Sequence, residues 1–246
     1  MKAQAKRPVP ILTYHQIAIA PDKPAPYRSL YVAPRDFARQ MDWLKKLGYQ
    51  GLSLSALMPY LQGEKTGKVV GISFDDGYLN NLTDALPVLQ QHGFSATCYF
   101  VSRRLGYNNE WDRAIGIKQT RLMGQPQVRE WVAGGQEAGA HTRTHARLVG
   151  LSKTEAQQEI AGCKLELEAV TGKSVQHFCY PFGEFDKQHV QMVEEAGYQT
   201  ATTTQRGRVC KGDSLLQLPR VTVARSTSRA ALWLKVATPY EDRGRS

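Results

Sequence analysis

Two short segments hold residue types suited to hydrolysis. Ser73-Phe74-Asp75-Asp76-Gly77 sets two adjacent carboxylates at the end of an apolar run, and His141-Thr142-Arg143-Thr144-His145 sets two imidazoles four residues apart. Two imidazoles and one carboxylate form a facial ligand set that leaves positions open for water and substrate, as a catalytic metal requires. A second carboxylate beside the first can then take the proton of a water whose pKa the metal lowers toward about 7. Neither segment is diagnostic alone. An Asp-Asp-Gly after a strand also reads as an Asx turn, and an HxxxH pair lacking the Glu of the zinc-protease motif also reads as two histidines sharing one side of a helix. Together they point to a hydrolytic metal site.

These segments resemble the first two motifs of the NodB-type polysaccharide deacetylases, carbohydrate esterase family four. The resemblance implies that Asp75 is the catalytic base and that Asp76, His141 and His145 bind the metal. Phe178-Cys179-Tyr180-Pro181-Phe182-Gly183 fills the place of a third motif, which implies substrate contacts at Tyr180 and Phe182. The Phe182 N–H would hold the oxyanion in a turn preorganised by Pro181 and Gly183. Two departures stand out. The family's Arg falls at Cys179, so the group orienting Asp75 must come from elsewhere, and Arg220 in Leu218-Pro219-Arg220-Val221 is the candidate. The family's late Leu-x-His motif has no counterpart, since no histidine follows His189. A branch that includes the poly-β-1,6-N-acetylglucosamine deacetylases places that histidine on the first strand. Val9-Pro10-Ile11-Leu12-Thr13-Tyr14-His15 is similar to this permuted arrangement and makes His15 the implied general acid.

The implied fold is α/β, a distorted (β/α) barrel of about seven parallel strands forming a NodB homology domain. The resemblance runs from residue 9 to about 223, with residues 1–246 as a single catalytic domain. The implied activity is metal-dependent removal of N-acetyl groups from amino sugars of a glycan or lipid-linked sugar. Zinc is the default ion, and the ligand set also suits Co2+, Ni2+ or Fe2+. Other readings stay open: a deacylase of a small amide, a glycan-binding module with a lapsed site, and a non-haem iron oxygenase using the same ligands.

The elements that must position these residues alternate, which argues for α/β. Pro34 opens a helix to about Leu47, stopped by Gly48. A short strand at Gln50–Ser53 and a helix at Ser55–Leu61 precede the apolar strand Val69–Phe74. Further helices are expected at Asn80–Gln91, closed by Gly93, at Pro126–Ala138, from the Ser152–Glu155 capping box to Gly172, at Lys187–Ala196, and from Ser228. Strands are expected at Ser95–Val101, Val175–Tyr180, Tyr198–Thr203 and Leu216–Val223. Residues 102–125 show no period and are long for a connection. They are expected to wall a substrate groove, with Trp111 as a sugar-stacking platform. Each chemical motif follows a predicted strand, as at the C-terminal rim of a parallel barrel.

The chain of 246 residues can hold one sizeable core, and no apolar run approaches the roughly 20 residues needed to span a bilayer, so a soluble domain is expected. Cys98, Cys163, Cys179 and Cys210 form no CxxC pair, and the first three, expected inside strands or a helix, read as core thiols, so neither a disulfide framework nor a cysteine metal site is indicated. The basic start Met1–Pro8 runs straight into the first strand with no signal segment visible. A cytoplasmic location is expected, the alternative being an exported protein whose signal is absent from this chain. The net charge of +10 lies wholly in the ends, +4 in residues 1–33 and +6 in 203–246. Brought together, the ends would offer a basic surface to an anionic membrane face or a phosphorylated glycan carrier. No nucleic-acid motif accompanies the charge, so nucleic acid is not an expected partner.

Overall fold

The strand that ends in the two aspartates is buried at all six positions, β5 (Val69–Phe74), as suits a strand covered on both faces. It belongs to a computed structural model that describes residues 8–243, so the basic start Met1–Arg7 lies outside the described residues. In chain order the other strands are β1 (Ile11–Tyr14), β2 (Gln16–Ile17), β3 (Tyr31–Val32), β4 (Gln50–Leu52), β6 (Thr97–Phe100), β7 (Glu137–Ala140), β8 (His177–Cys179), β9 (Thr200–Arg206) and β10 (Leu218–Thr222). The helices are α1 (Pro34–Lys46), α2 (Leu54–Leu61), α3 (Leu86–His92), α4 (Gln125–Ala133), α5 (Lys153–Thr171), α6 (Lys187–Glu195) and α7 (Arg229–Ala237).

Strands β5, β6, β7, β8, β9, β10 and β1 lie side by side, and β1 pairs back onto β5 from Ile11↔Gly71 to Tyr14↔Phe74. Every pairing in this ring is parallel, so the seven strands close a barrel with helices around it. Short β4 pairs with the start of β5 on the edge whose far end is taken by β6, and so fills a wedge where β5 and β6 diverge. Because the strands are parallel, Tyr14, Phe74, Ala140 and Cys179 all end at one rim. The residues that follow them therefore converge.

Capping residues and apolar spacing set the helices. Ser152 accepts from the Glu155 N–H in a capping box, Gly172 ends α5 at φ 65°, and Ala156, Ile160, Cys163 and Leu167 recur on its buried side. Beneath the rim, Phe37 and Trp131 meet the strand aromatics edge-on, at 5.2 Å from Tyr14 and 5.8 Å from Phe74. Truncating such a buried ring costs about 3–5 kcal/mol.

Three expectations need correction. The helix predicted over Pro126–Ala138 stops at Ala133, because Gly134 and Gly135 (φ 84°) break it, and Glu137–Ala140 is a strand. That strand is small because a Cβ at Gly139 would lie 2.5 Å from the Tyr99 ring. The segment from His141 to His145 is not helical, since Thr142 and His145 have φ 63° and 62°. The start of the helix predicted at Asn80 is a π turn over Asn81–Ala85 that leads into α3. All three of the cysteines expected in elements are buried free thiols in β6, α5 and β8. No helix among the described residues is long and apolar enough to cross a membrane.

Candidate active site

Asp76, His141 and His145 are each less than 8 % exposed at the barrel rim. Asp76 Oδ1 lies 3.5 Å from His141 Nε2 and 3.3 Å from His145 Nε2. Three donors each about 2.0–2.2 Å from a tetrahedral ion stand roughly 3.4 Å apart, so this spacing fits a divalent metal. His141 Nδ1 lies 2.8 Å from the Cys179 carbonyl, which accepts from the Nδ1–H and leaves Nε2 free to bind an ion. His145 Nδ1 is buried without a hydrogen-bond partner. Its ring is held by Trp111, stacked at 4.4 Å and 16°, and by the edge of Phe182 at 4.6 Å. The loop is fixed from behind by α5. Glu159 accepts from the Arg143 and Thr144 N–H groups and the Thr144 hydroxyl, and Glu166 accepts from the Arg143 guanidinium.

Asp75 faces a different set of partners from its neighbour because Asp76 sits at φ 71° and turns the chain. Arg220, 2 % exposed, clamps Asp75 with two bonds of 2.7 Å, one to each carboxylate oxygen. Its Nε donates to the Thr203 carbonyl, and its Nη2 lies 3.2 Å from Cys179 Sγ. Burial pushes the Asp75 carboxyl up, but Arg220 outweighs it and leaves the pKa below the usual range. Burial likewise opposes the Asp76 charge, and contacts with His141 and His145 hold that carboxyl well below the usual range. Asp75, His141 and Cys179 also lie close enough to form a ligand cluster, but the Arg220 guanidinium occupies both Asp75 oxygens.

His15 Nε2 is 3.9 Å from Asp75 Oδ2. Both line a cavity of about 150 Å³ together with Asp76, His141, His145, Arg220 and Phe182. Phe182 adopts φ 59° and is followed by Gly183 at φ 72°, where a Cβ would lie 1.9 Å from Thr204 Oγ1, so only glycine fits. The sequence expectation for Tyr180 needs qualification: its hydroxyl donates to the Leu216 carbonyl at 3.1 Å, so that group is engaged by the fold. Trp111 lines the cavity, yet His145 covers one of its faces.

Sequence reasoning missed several wall residues. Arg147 packs over the Phe182 ring at 3.9 Å, two residues beyond His145. Asp112, next to Trp111, is 8 % exposed and bonded to Asn109; burial raises its carboxyl. Tyr27 comes from the loop after β2 that holds Pro21, Pro24 and Pro26, where nothing in the local pattern signals it.

Residues 62–201 match the profile of the family described as polysaccharide deacetylase. YxkH of Bacillus subtilis (strain 168), which carries the same family name, is 29 % identical over 94 % of this chain and 77 % of its own length. The poly-β-1,6-N-acetyl-D-glucosamine N-deacetylase of Staphylococcus epidermidis is 23 % identical over 78 % of this chain and 68 % of its own. Among solved structures, BA0330 of Bacillus anthracis superposes with a TM-score of 0.79 at 30 % identity, covering 94 % of this chain and 69 % of that one.

Proposed function

Since the chain belongs to the polysaccharide deacetylase family, we propose that it removes acetyl groups from N-acetylated amino sugars of a glycan, using a divalent metal held by Asp76, His141 and His145. Zinc suits two imidazoles and one carboxylate, and Co2+, Ni2+ or Fe2+ would be accepted by the same donors. When bound, the ion polarises the acetyl carbonyl and makes water a better acid. Asp75 takes the proton of the attacking water, and Arg220 keeps it ionised and aimed. The Phe182 N–H stabilises the oxyanion from a turn already in place. His15 gives a proton to the departing amine, which otherwise leaves poorly.

One observation carries this reading: a metal-spaced Asp76–His141–His145 set stands beside a second carboxylate that is clamped by an arginine and faces a histidine in the same cavity. An oxygenase or a structural metal site has no use for that second pair. The test combines metal analysis of the purified protein with acetate release from chitooligosaccharides, β-1,6-linked N-acetylglucosamine oligomers and peptidoglycan fragments. Metal retention and acetate release, both abolished by chelation, are expected. A metal-loaded protein that binds sugars and releases no acetate would make it a glycan-binding module, and turnover of small amides alone would shift the substrate class.

A further inference from the structure

Next to the catalytic cavity lies a basic groove. One hollow of about 410 Å³, with Arg28 and Arg225 in its wall, runs into another of about 330 Å³, with Arg39 and Arg229. The two share Asp36, Arg225 and Ser226, and Asp36 is the single carboxylate against four arginines. That carboxylate lies 3.8 Å from Arg39 and is itself half exposed. The wall between groove and catalytic cavity is one turn thick: Tyr27 and Leu30 face the cavity while Arg28, Ser29 and Tyr31 face the groove.

The backbone that carries these arginines is tied together from distant parts of the chain. Arg225 N–H donates to the Ser29 carbonyl, Gln40 Nε2 to the Thr227 carbonyl, and Arg28 Nε to the Pro21 carbonyl. The positive excess of residues 1–33 and 203–246 thus meets in part here, beside the site. Its sign bears on the substrate. Each N-deacetylation leaves an ammonium, which four nearby guanidinium groups repel, so the groove does not suit a plain polymer of amino sugars. Planar guanidinium groups lining a concave surface suit phosphate or carboxylate.

We propose that this groove is a subsite for an anionic group, phosphate or carboxylate, carried by the glycan close to the sugar that loses its acetyl group. The proposal rests on the deacetylase reading for the reaction, though not for the binding. Its test uses the metal-loaded full chain with two calorimetric probes, tetra-N-acetylchitotetraose and its 1-phosphate. Wild type should bind the phosphate about tenfold more tightly, as two exposed ion pairs would provide, with the gap shrinking between low and high salt. Arg225→Gln/Arg229→Gln should erase the gap and leave affinity for the neutral oligomer unchanged, and Arg225→Lys/Arg229→Lys should restore part of it. Equal affinities in wild type, a preference that survives the Gln pair, or equal weakening of both probes would overturn the proposal. So would arginine-dependent flotation with 3:1 phosphatidylcholine–phosphatidylglycerol vesicles in the absence of a preference between oligomers, which would assign the groove to membrane. Acetate release from the neutral oligomer is scored separately, so a failed reaction and a failed subsite are distinguishable.

Discussion

Removing the Arg220 guanidinium should strand a buried charge, and the structure fixes the size of the effect. Arg220 and Asp75 are 2 % and 4 % exposed and joined by two bonds of 2.7 Å. Breaking a buried pair from one side costs about 3–5 kcal/mol, because the remaining charge is left uncompensated. For a chain of this length each kcal/mol moves Tm by about 2–4 °C, so Arg220→Met should melt roughly 6–20 °C below wild type. The pH dependence has a definite sign. In wild type the Asp75 pKa lies below its usual value, so the pair's contribution is complete above the unfolded pKa of about 3.9 and fades as pH falls through the folded one. In Arg220→Met burial opposes the Asp75 charge with only the smaller pull of His15 and His141 against it, and its pKa rises. The deficit should therefore be full at neutral pH and shrink on acidification, as the carboxyl takes up a proton. Asp75→Asn added to Arg220→Met should recover several degrees by removing the stranded charge. Calorimetric scans of metal-free protein from about pH 4.5 to 8 give the answer. A deficit that is small, or that does not change with pH, would refute the argument that Arg220 compensates Asp75.

Asp76→Ala should lose metal content, whereas Asp75→Asn should keep it and lose acetate release by about 10²–10⁴-fold; the reverse pattern by elemental analysis would exchange their roles. His15→Ala, with metal retained, should lose about 10²–10⁴-fold on amides and far less on an activated aryl acetate, and equal losses would mean that His15 only positions substrate. Trp111→Ala should weaken metal retention in chelator competition by about 10–100-fold, since stacking takes the place of the hydrogen bond that His145 Nδ1 lacks; unchanged retention would limit Trp111 to other contacts. At the opposite end of the barrel, burial raises the Glu137 carboxyl, but His177 and neighbouring donors hold it down to about 2. Its stabilisation should vanish as pH falls from about 4.5 toward 2, and Glu137→Gln should flatten the acid side of the melting curve.

What the sequence revealed is what strand ends and caps encode. The aspartate and histidine pairs were legible as one site because together their residue types supply a facial ligand set and a base, and β5 and β7, separated only by β6, deliver them to the same rim. Ser152 with Glu155, Pro34, Gly93 and Gly172 marked helix ends by their own chemistry. Strand β7 was missed because Glu-Ala-Gly-Ala has no β-branched residue; packing against Tyr99 leaves no room for a Cβ at Gly139, and that contact is not local. Arg220 could be named as a candidate but not aimed. The register between β10 and β9 shifts between Leu218 and Arg220, so that Arg220 stands opposite Arg206 and not Thr204, and such an irregularity re-aims a side chain by tertiary pairing alone.

The backbone of the site was the least legible part, and the reason is physical. Among the described residues, the non-glycine positions at positive φ are Tyr27, Asp76, Thr142, His145 and Phe182; four line the cavity at the barrel rim and Thr142 stands between His141 and His145. A sequence signals the left-handed region through glycine, and these side chains are disfavoured there by about 1–2 kcal/mol each. The conformation persists because neighbours over-determine it: Glu159 and Glu166 grip the histidine loop, Thr204 fills the space beside Gly183, and the Asp75 N–H is bonded to the Tyr14 carbonyl. Each of those restraints comes from another strand or helix. Local rules therefore fail at the positions where side chains must be turned against their own backbone preference, and those positions surround the proposed chemistry.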